Sequence, residues 1–311
     1  MKPNSIPVID INELNHPDTL AKLDTACREW GFFQVINHGV PRAAIDKAIN
    51  EANAFFYQPL ERKRDISRSH DNPWGFFDHE LTKNVRDLKQ VYDFGPGDGD
   101  LIKSQWPRDM PEFRNAIHGY YKHSERLAYR LLAAISTNLG MSPGFLSRGF
   151  GRDHTSFLRL NYYPVSVTPP SSSGGHLGVG QHTDAGALTL LLQDDQTGLE
   201  VFKDNVWHLI EPRVDALVIN IGDIVQVWSN DQYFAALHRV VASASKARFS
   251  IPFFLNPAYR TNYAPVPTTV TADRPANYKA INWGEFRKRR AEGDFADYGE
   301  EVQIKQYRTS A

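Results

Sequence analysis

Gly180-Gln181-His182-Thr183-Asp184-Ala185-Gly186, followed at once by Ala187-Leu188-Thr189-Leu190-Leu191-Leu192, is the stretch from which the fold is read. A short apolar run that leaves a glycine-rich turn reads as a buried strand. Positions i and i+2 of a strand point to the same face. The imidazole of His182 and the carboxylate of Asp184 therefore converge on one point. A second histidine, His238, lies on another strand-like stretch, Phe234-Ala235-Ala236-Leu237-His238-Arg239-Val240-Val241. Two imidazoles and one carboxylate on one face of a metal leave the remaining positions open to other ligands. Ten residues beyond His238, Arg248-Phe249-Ser250 forms another i, i+2 pair. It offers a fixed cation and a hydroxyl, suited to gripping a carboxylate.

Outward from this stretch, short strands recur. Phe157, Arg159, Asn161 and Tyr163 alternate with Leu158, Leu160 and Tyr162. Further strands are expected near 188–193, 199–203, 206–210, 216–221, 224–228, 236–241 and 249–255. Many short strands separated by turns indicate a sandwich or jelly roll. A jelly roll brings side chains from opposing strands into one cavity, so residues 182, 184 and 238 can meet. Ahead of this core, the pattern gives a strand at 6–11, a helix from Pro17 to Trp30 and a strand at 32–36. A helix starting at Pro41 follows, with Ile45, Ala48, Ile49, Ala52, Phe55 and Phe56 on its apolar face. Residues 65–106 lose periodicity and read as loop, and Phe76 and Phe77 within them are candidates for substrate contact. A long helix is expected at 111–139, closed by Gly140, then a shorter helix from Ser142-Pro143. The segment from Pro169 to Gly175 reads as a loop beside the site entrance. A helix near 283–290 and a polar tail end the chain. The expected organisation is an N-terminal α-rich region with short strands (1–150), a jelly-roll core (151–260), and a C-terminal helix and tail (261–311), read as one integrated unit.

The ordered set of motifs resembles a known family. His182-x-Asp184, His238 and Arg248-x-Ser250 look like the iron- and 2-oxoglutarate-dependent dioxygenases, in the branch that contains isopenicillin N synthase and the plant flavonoid and gibberellin oxidases. Ile6-Pro7-Val8-Ile9-Asp10, Trp30-Gly31-Phe32-Phe33-Gln34, Asn161-Tyr162-Tyr163-Pro164 and Asn220-Ile221-Gly222-Asp223 resemble that branch in the same order. The resemblance implies a double-stranded β-helix, a jelly-roll or cupin-like core, mainly β with flanking helices. It implies Fe(II) held by His182, Asp184 and His238, with no catalytic residue beyond these ligands. It implies 2-oxoglutarate held by Arg248 and Ser250, with Tyr163 and Asn161 beside it, and O2 as the oxidant. A small metabolite would be hydroxylated or desaturated with release of succinate and CO2. Arg159 and Phe254, on the same strand faces, are expected in the substrate pocket, Arg159 meeting a polar or acidic group. Asp184 stands where related halogenases have a small residue, which favours hydroxylation or desaturation. Two other readings share these residues. One is an isopenicillin N synthase-like or aminocyclopropane carboxylate oxidase-like iron oxidase that needs no 2-oxoglutarate. The other is a non-catalytic jelly-roll sensor of metal or ligand, which the open metal positions disfavour.

Composition sets the remaining bounds. The 311 residues carry 35 Lys and Arg against 36 Asp and Glu, a formal net charge of −1. No field of one sign favours nucleic acid or an anionic membrane. A single cysteine, Cys27, excludes an internal disulfide and fits a reducing compartment. No apolar run reaches the length of a membrane span. The expectation is a cytoplasmic protein with a small-molecule substrate, and a monomer as is usual in the family.

Overall fold

The structure, a computed structural model, describes residues 5–82, 85–95, 103–166, 177–293 and 302–309. The expected loop at Pro169–Gly175 lies outside them. In chain order the elements begin with β1 (Val8–Asp10), α1 (Pro17–Glu29), β2 (Phe32–Ile36), α2 (Arg42–Phe56) and α3 (Leu60–Arg64). Then come β3 (Gly75–Phe77), β4 (Leu81–Thr82), β5 (Val85–Arg86), β6 (Gln90–Phe94) and α4 (Pro111–Asn138). The second half holds β7 (Phe157–Tyr163), β8 (Leu177–His182), β9 (Leu188–Gln193), β10 (Leu199–Lys203), β11 (Val206–Leu209) and β12 (Leu217–Ile221). It ends with α5 (Asp223–Trp228), β13 (His238–Val241), β14 (Arg248–Leu255), β15 (Asn262–Tyr263), β16 (Ile281–Asn282) and α6 (Trp283–Gly293).

Among the described residues the strands form two principal sheets. The larger runs β1-β2-β12-β9-β14-β7-β6-β3, and the smaller runs β11-β10-β13-β8. Together they make the jelly-roll core. Strand alternation sorts the larger sheet into two faces. From β14, Arg248, Ser250, Pro252 and Phe254 face a cavity shared with the smaller sheet. Their neighbours Phe249, Ile251, Phe253 and Leu255 join the main apolar core. β7 divides in the same way: Arg159, Asn161 and Tyr163 face the cavity, while Leu158 and Leu160 face the core. α4 packs across α2 and against β9 and β14, covering the outer face. Its stripe of Phe113, Ile117, Tyr120, Leu127, Leu131 and Ile135 is buried.

The first third of the chain completes the larger sheet. The tight link between α1 and β2 depends on Gly31, whose φ is +61° and whose added Cβ would lie 2.0 Å from the Phe234 carbonyl oxygen. The aperiodic stretch 65–106 is not all loop. β3 and β6 lie within it, and β6 pairs directly with β7. Phe76, expected at the substrate, sits instead on the core face of β3, fully buried with its ring 6.2 Å from that of Phe55. Phe77 packs beneath the Arg68 guanidinium, 4.1 Å from its ring centroid. Neither contributes to the cavity wall. Two further expectations change. The helix after Ser142 is only a 3-10 turn, Leu146–Gly149. Residues 224–228, rich in β-branched side chains, form α5 rather than a strand. Tertiary demand overrides propensity there, because the first N–H groups of that helix are needed by the turn that carries Asp184.

Phe55 joins α2 to this scaffold, its ring 5.1 Å from that of Phe113 and 5.3 Å from that of Tyr92. Phe55→Ala should cost about 3–5 kcal/mol, read as a fall in the urea midpoint. A loss below about 1 kcal/mol would show that this cluster does not bind the helical layer to the sheet.

Candidate metal centre

β8 ends at His182 and β13 begins at His238, and the two residues are directly paired across the antiparallel strands. Their rings lie 4.3 Å apart, centroid to centroid. Asp184 stands two residues beyond, with Oδ1 3.6 Å from Nε2 of each histidine. One donor atom from each of the three lies within 4.8 Å of the others. Each imidazole is aimed by its other nitrogen. Nδ1 of His182 donates to the Gly180 carbonyl at 2.8 Å, and Nδ1 of His238 donates to that of Ala236 at 3.0 Å. This leaves both Nε2 lone pairs pointing at the shared centre. Burial, with His238 adjacent, pushes the His182 imidazole down to about 3, so it is neutral and able to ligate at ordinary pH.

Asp184 is held by its second oxygen. Oδ2 accepts hydrogen bonds from Thr189 Oγ1 and from Asn220 Nδ2, the latter at 2.8 Å. Thr189 and Asn220 are opposite each other in the β9–β12 register. Burial works against the charged carboxylate. His238, His182 and these two hydrogen bonds outweigh it and hold the group below its ordinary range. The turn itself is clamped by backbone. The N–H of Asp223 donates to the Asp184 carbonyl at 2.8 Å, and that of Ile224 to the Gly186 carbonyl at 3.1 Å. Gly222 permits the approach, since a Cβ there would lie 2.2 Å from the Gly186 oxygen.

Along the cavity from the triad, Arg248 is 1% exposed. Its Nη2 donates to Gln193 Oε1 at 2.8 Å, and its guanidinium carbon lies 5.1 Å from the Tyr163 ring centroid. Nε and Nη1 are buried with no hydrogen-bond partner among the described residues. Beside it, Asn161 Nδ2 donates to Ser250 Oγ at 3.3 Å. A buried cation with unused donors is costly unless a ligand carboxylate completes it. Two imidazoles and a carboxylate with open positions suit Fe(II). The residues thus fit both a ferrous ion and an organic acid reaching between it and Arg248.

Arg159 also lines the cavity, but differently. Its Nε and Nη1 meet Asp93 at 2.7 Å and Glu80 at 2.9 Å. Lys89 Nζ completes the cluster, 2.6 Å from Glu80 and 2.9 Å from Asp87. Burial opposes the Glu80 charge, yet Arg159, Lys89 and Arg68 hold it well below the usual carboxylate range. Sequence reasoning missed Lys89, Gln193 and Thr189. Only the Asn220 motif carried a visible signal, and it gave no hint of the bond to Asp184.

Comparison with known proteins agrees with this geometry. Residues 154–257 match the model of the 2OG-Fe(II) oxygenase superfamily, and residues 6–112 match that of the non-haem dioxygenase in morphine synthesis N-terminal region. An oxoglutarate-dependent flavonoid 7-O-demethylase from Ocimum basilicum is 35% identical over 295 residues, covering 91% of this chain and 77% of that protein. Jasmonate-induced oxygenase 4 of Arabidopsis thaliana is 34% identical, over 91% and 81% of the two chains. The crystal structure of JOX2 in complex with 2OG, Fe and JA superposes with a TM-score of 0.86 at 30% identity, covering 98% of this chain and 90% of that one. The chain belongs to the 2OG-Fe(II) oxygenase superfamily. It is a dioxygenase that uses Fe(II), O2 and 2-oxoglutarate to oxidise a small molecule, with release of succinate and CO2. The readings without 2-oxoglutarate or without catalysis yield to this one. No described helix is long and apolar enough to cross a membrane.

Asn220→Ala and Thr189→Val each remove one tether of Asp184. Each should weaken Mn(II) binding by roughly 10- to 100-fold, measured by calorimetry. Unchanged affinity in both would show that the Asp184 carboxylate is oriented without them.

Proposed function

We propose that Arg248 and Ser250 anchor the far carboxylate of 2-oxoglutarate, while the other end of that acid meets the iron at His182, Asp184 and His238. One observation carries this assignment: Arg248 is a buried guanidinium whose Nε and Nη1 have no partner among the described residues, in the cavity that the metal triad also lines. A bidentate carboxylate is the partner such a fork lacks. Tyr163 packs on the guanidinium and Asn161 orients the Ser250 hydroxyl, so both fix the anchor. When bound, the ferrous ion and the keto acid together reduce O2 and supply the oxidant for an unactivated C–H bond. The chain's residues hold the ligands on one face and orient the acid along the cavity.

The prime substrate is, in this reading, a small metabolite with a flat or apolar body and at least one oxygen-bearing group. Phe32, Leu191 and Phe254 supply apolar wall, and Phe254 stacks on Phe157 with centroids 4.6 Å apart. Arg159 and Lys89 supply the polar contact. The flavonoid in the name of the Ocimum basilicum relative and the JA held in the JOX2 structure support a small organic substrate. A metabolite panel scored by 2-oxoglutarate-dependent succinate release tests the reading. Oxidation of a substrate with no succinate formed would overturn it. Arg248→Gln should weaken 2-oxoglutarate binding by about 3 kcal/mol, roughly 100-fold, with Mn(II) affinity nearly unchanged. Equal 2-oxoglutarate affinity in the variant would remove Arg248 from this role.

A further inference from the structure

The turn that carries the metal ligands has a third anchor, contributed from far along the chain. His182 and Asp184 flank Thr183, so the orientation of that residue's backbone sets the angle between the two ligands. The carbonyls of Asp184 and Gly186 are held by the start of α5. The carbonyl of Thr183 is held by a side chain: Arg290 Nη2 donates to it at 2.9 Å. Arg290 belongs to α6 and is 7% exposed. Its other terminal nitrogen, Nη1, donates to the Val302 carbonyl at 3.2 Å. Val302 lies in the C-terminal segment, which is itself packed down by Ile304 in the main core. The root of α6 is fixed independently, because Trp283 Nε1 donates to Thr155 Oγ1 at 2.8 Å. The guanidinium therefore bridges two backbone carbonyls 119 residues apart in sequence, one of them between two metal ligands. Arg290 falls outside both stretches that match the family models.

We propose that Arg290 is a positioning residue of the metal centre, and that through it the C-terminal segment sets the affinity of the site for its metal. A guanidinium is rigid and planar, so fixing one nitrogen on Val302 fixes where the other can hold Thr183. Loss of the bond to Thr183 removes this tether from its peptide, and loss of the bond to Val302 removes a contact that aims the guanidinium at it. The His182 and Asp184 donors then lose their common focus, although neither is touched.

The proposal rests on the triad holding the metal, and the test separates the two ideas. Mn(II) is titrated calorimetrically into the full-length, metal-free wild type, Arg290→Gln, Arg290→Lys and a chain ending at residue 301. Thermal melting is recorded for each, and binding is measured well below every transition. Wild type should bind one Mn(II), and failure to do so would overturn both the triad reading and this proposal. Arg290→Gln should bind at least 10-fold more weakly. Arg290→Lys, which keeps a cation but cannot span both carbonyls, should fall between the two, and it decides the matter if the glutamine variant does not fold. Truncation at 301 should weaken binding to a similar degree, with little added effect in an Arg290→Gln background. The anaerobic visible band of the Fe(II)·2-oxoglutarate complex should shift in the arginine variants. Wild-type Mn(II) affinity in Arg290→Gln, or in Arg290→Lys where only that variant folds, would overturn the proposal. Fully additive effects of truncation and substitution would overturn the coupling to the C-terminal segment.

Discussion

Much of the structure serves the placement of one buried carboxylate. Asp184 carries charge in a setting where burial works against the ionised form, and its neighbours tip the balance back toward it. Two imidazoles face one oxygen, and Thr189 and Asn220 bind the other. Those partners come from β8, β13, β9 and β12, which belong to both sheets. The jelly roll is thus the means by which distant strands agree on a single point. Gly222 exists in that form because the two backbones that secure the turn approach more closely than any side chain allows.

The cavity separates its cations by what neutralises them. Arg159, Lys89 and Arg68 share Glu80, Asp87 and Asp93, three positive groups against three negative ones. A cluster balanced in this way gains little from another anion and presents polar edges rather than net charge. Among the described residues Arg248 has the neutral amide of Gln193 as its hydrogen-bonded side-chain partner and no carboxylate in a salt bridge, with Asp194 the acid that feels its charge. The same residue type on adjacent strands therefore acquires opposite appetites. Sequence cannot reveal this, because the difference lies in residues 80, 87 and 93, which the linear pattern assigned to a loop.

Legibility followed periodicity. The two-residue repeat in 157–163 and 248–255 gave the inner and outer faces correctly, and with them the convergence of His182, Asp184, Arg248 and Tyr163 on one cavity. The helices at 17–29, 42–56 and 111–138 were legible from their apolar stripes and end signals. What failed was local pattern under tertiary control. Residues 224–228 read as strand and fold as helix, because their N–H groups are claimed by the Asp184 turn. Phe76 and Phe77 read as a pocket wall, but β3 pairs with β6 and directs Phe76 into the core. Arg290 left no trace in the sequence, since its partner is a carbonyl that every residue possesses.

Of the ionic wall, Glu80, Asp87, Lys89 and Asp93 lie on or beside β4 to β6, Arg68 precedes β3 and Arg159 is on β7, whereas the iron ligands come from β8 onward. The two stretches are joined by the pairing of β6 with β7 and by hydrogen bonds to β8, from the Leu88 amide to the Leu177 carbonyl and from the Gly180 amide to Asp87. Asp87 therefore belongs to both, since it pairs with Lys89 in the wall and holds Gly180, whose carbonyl aims His182. A change at that one carboxylate is thus felt by the cavity wall and by an imidazole of the triad together.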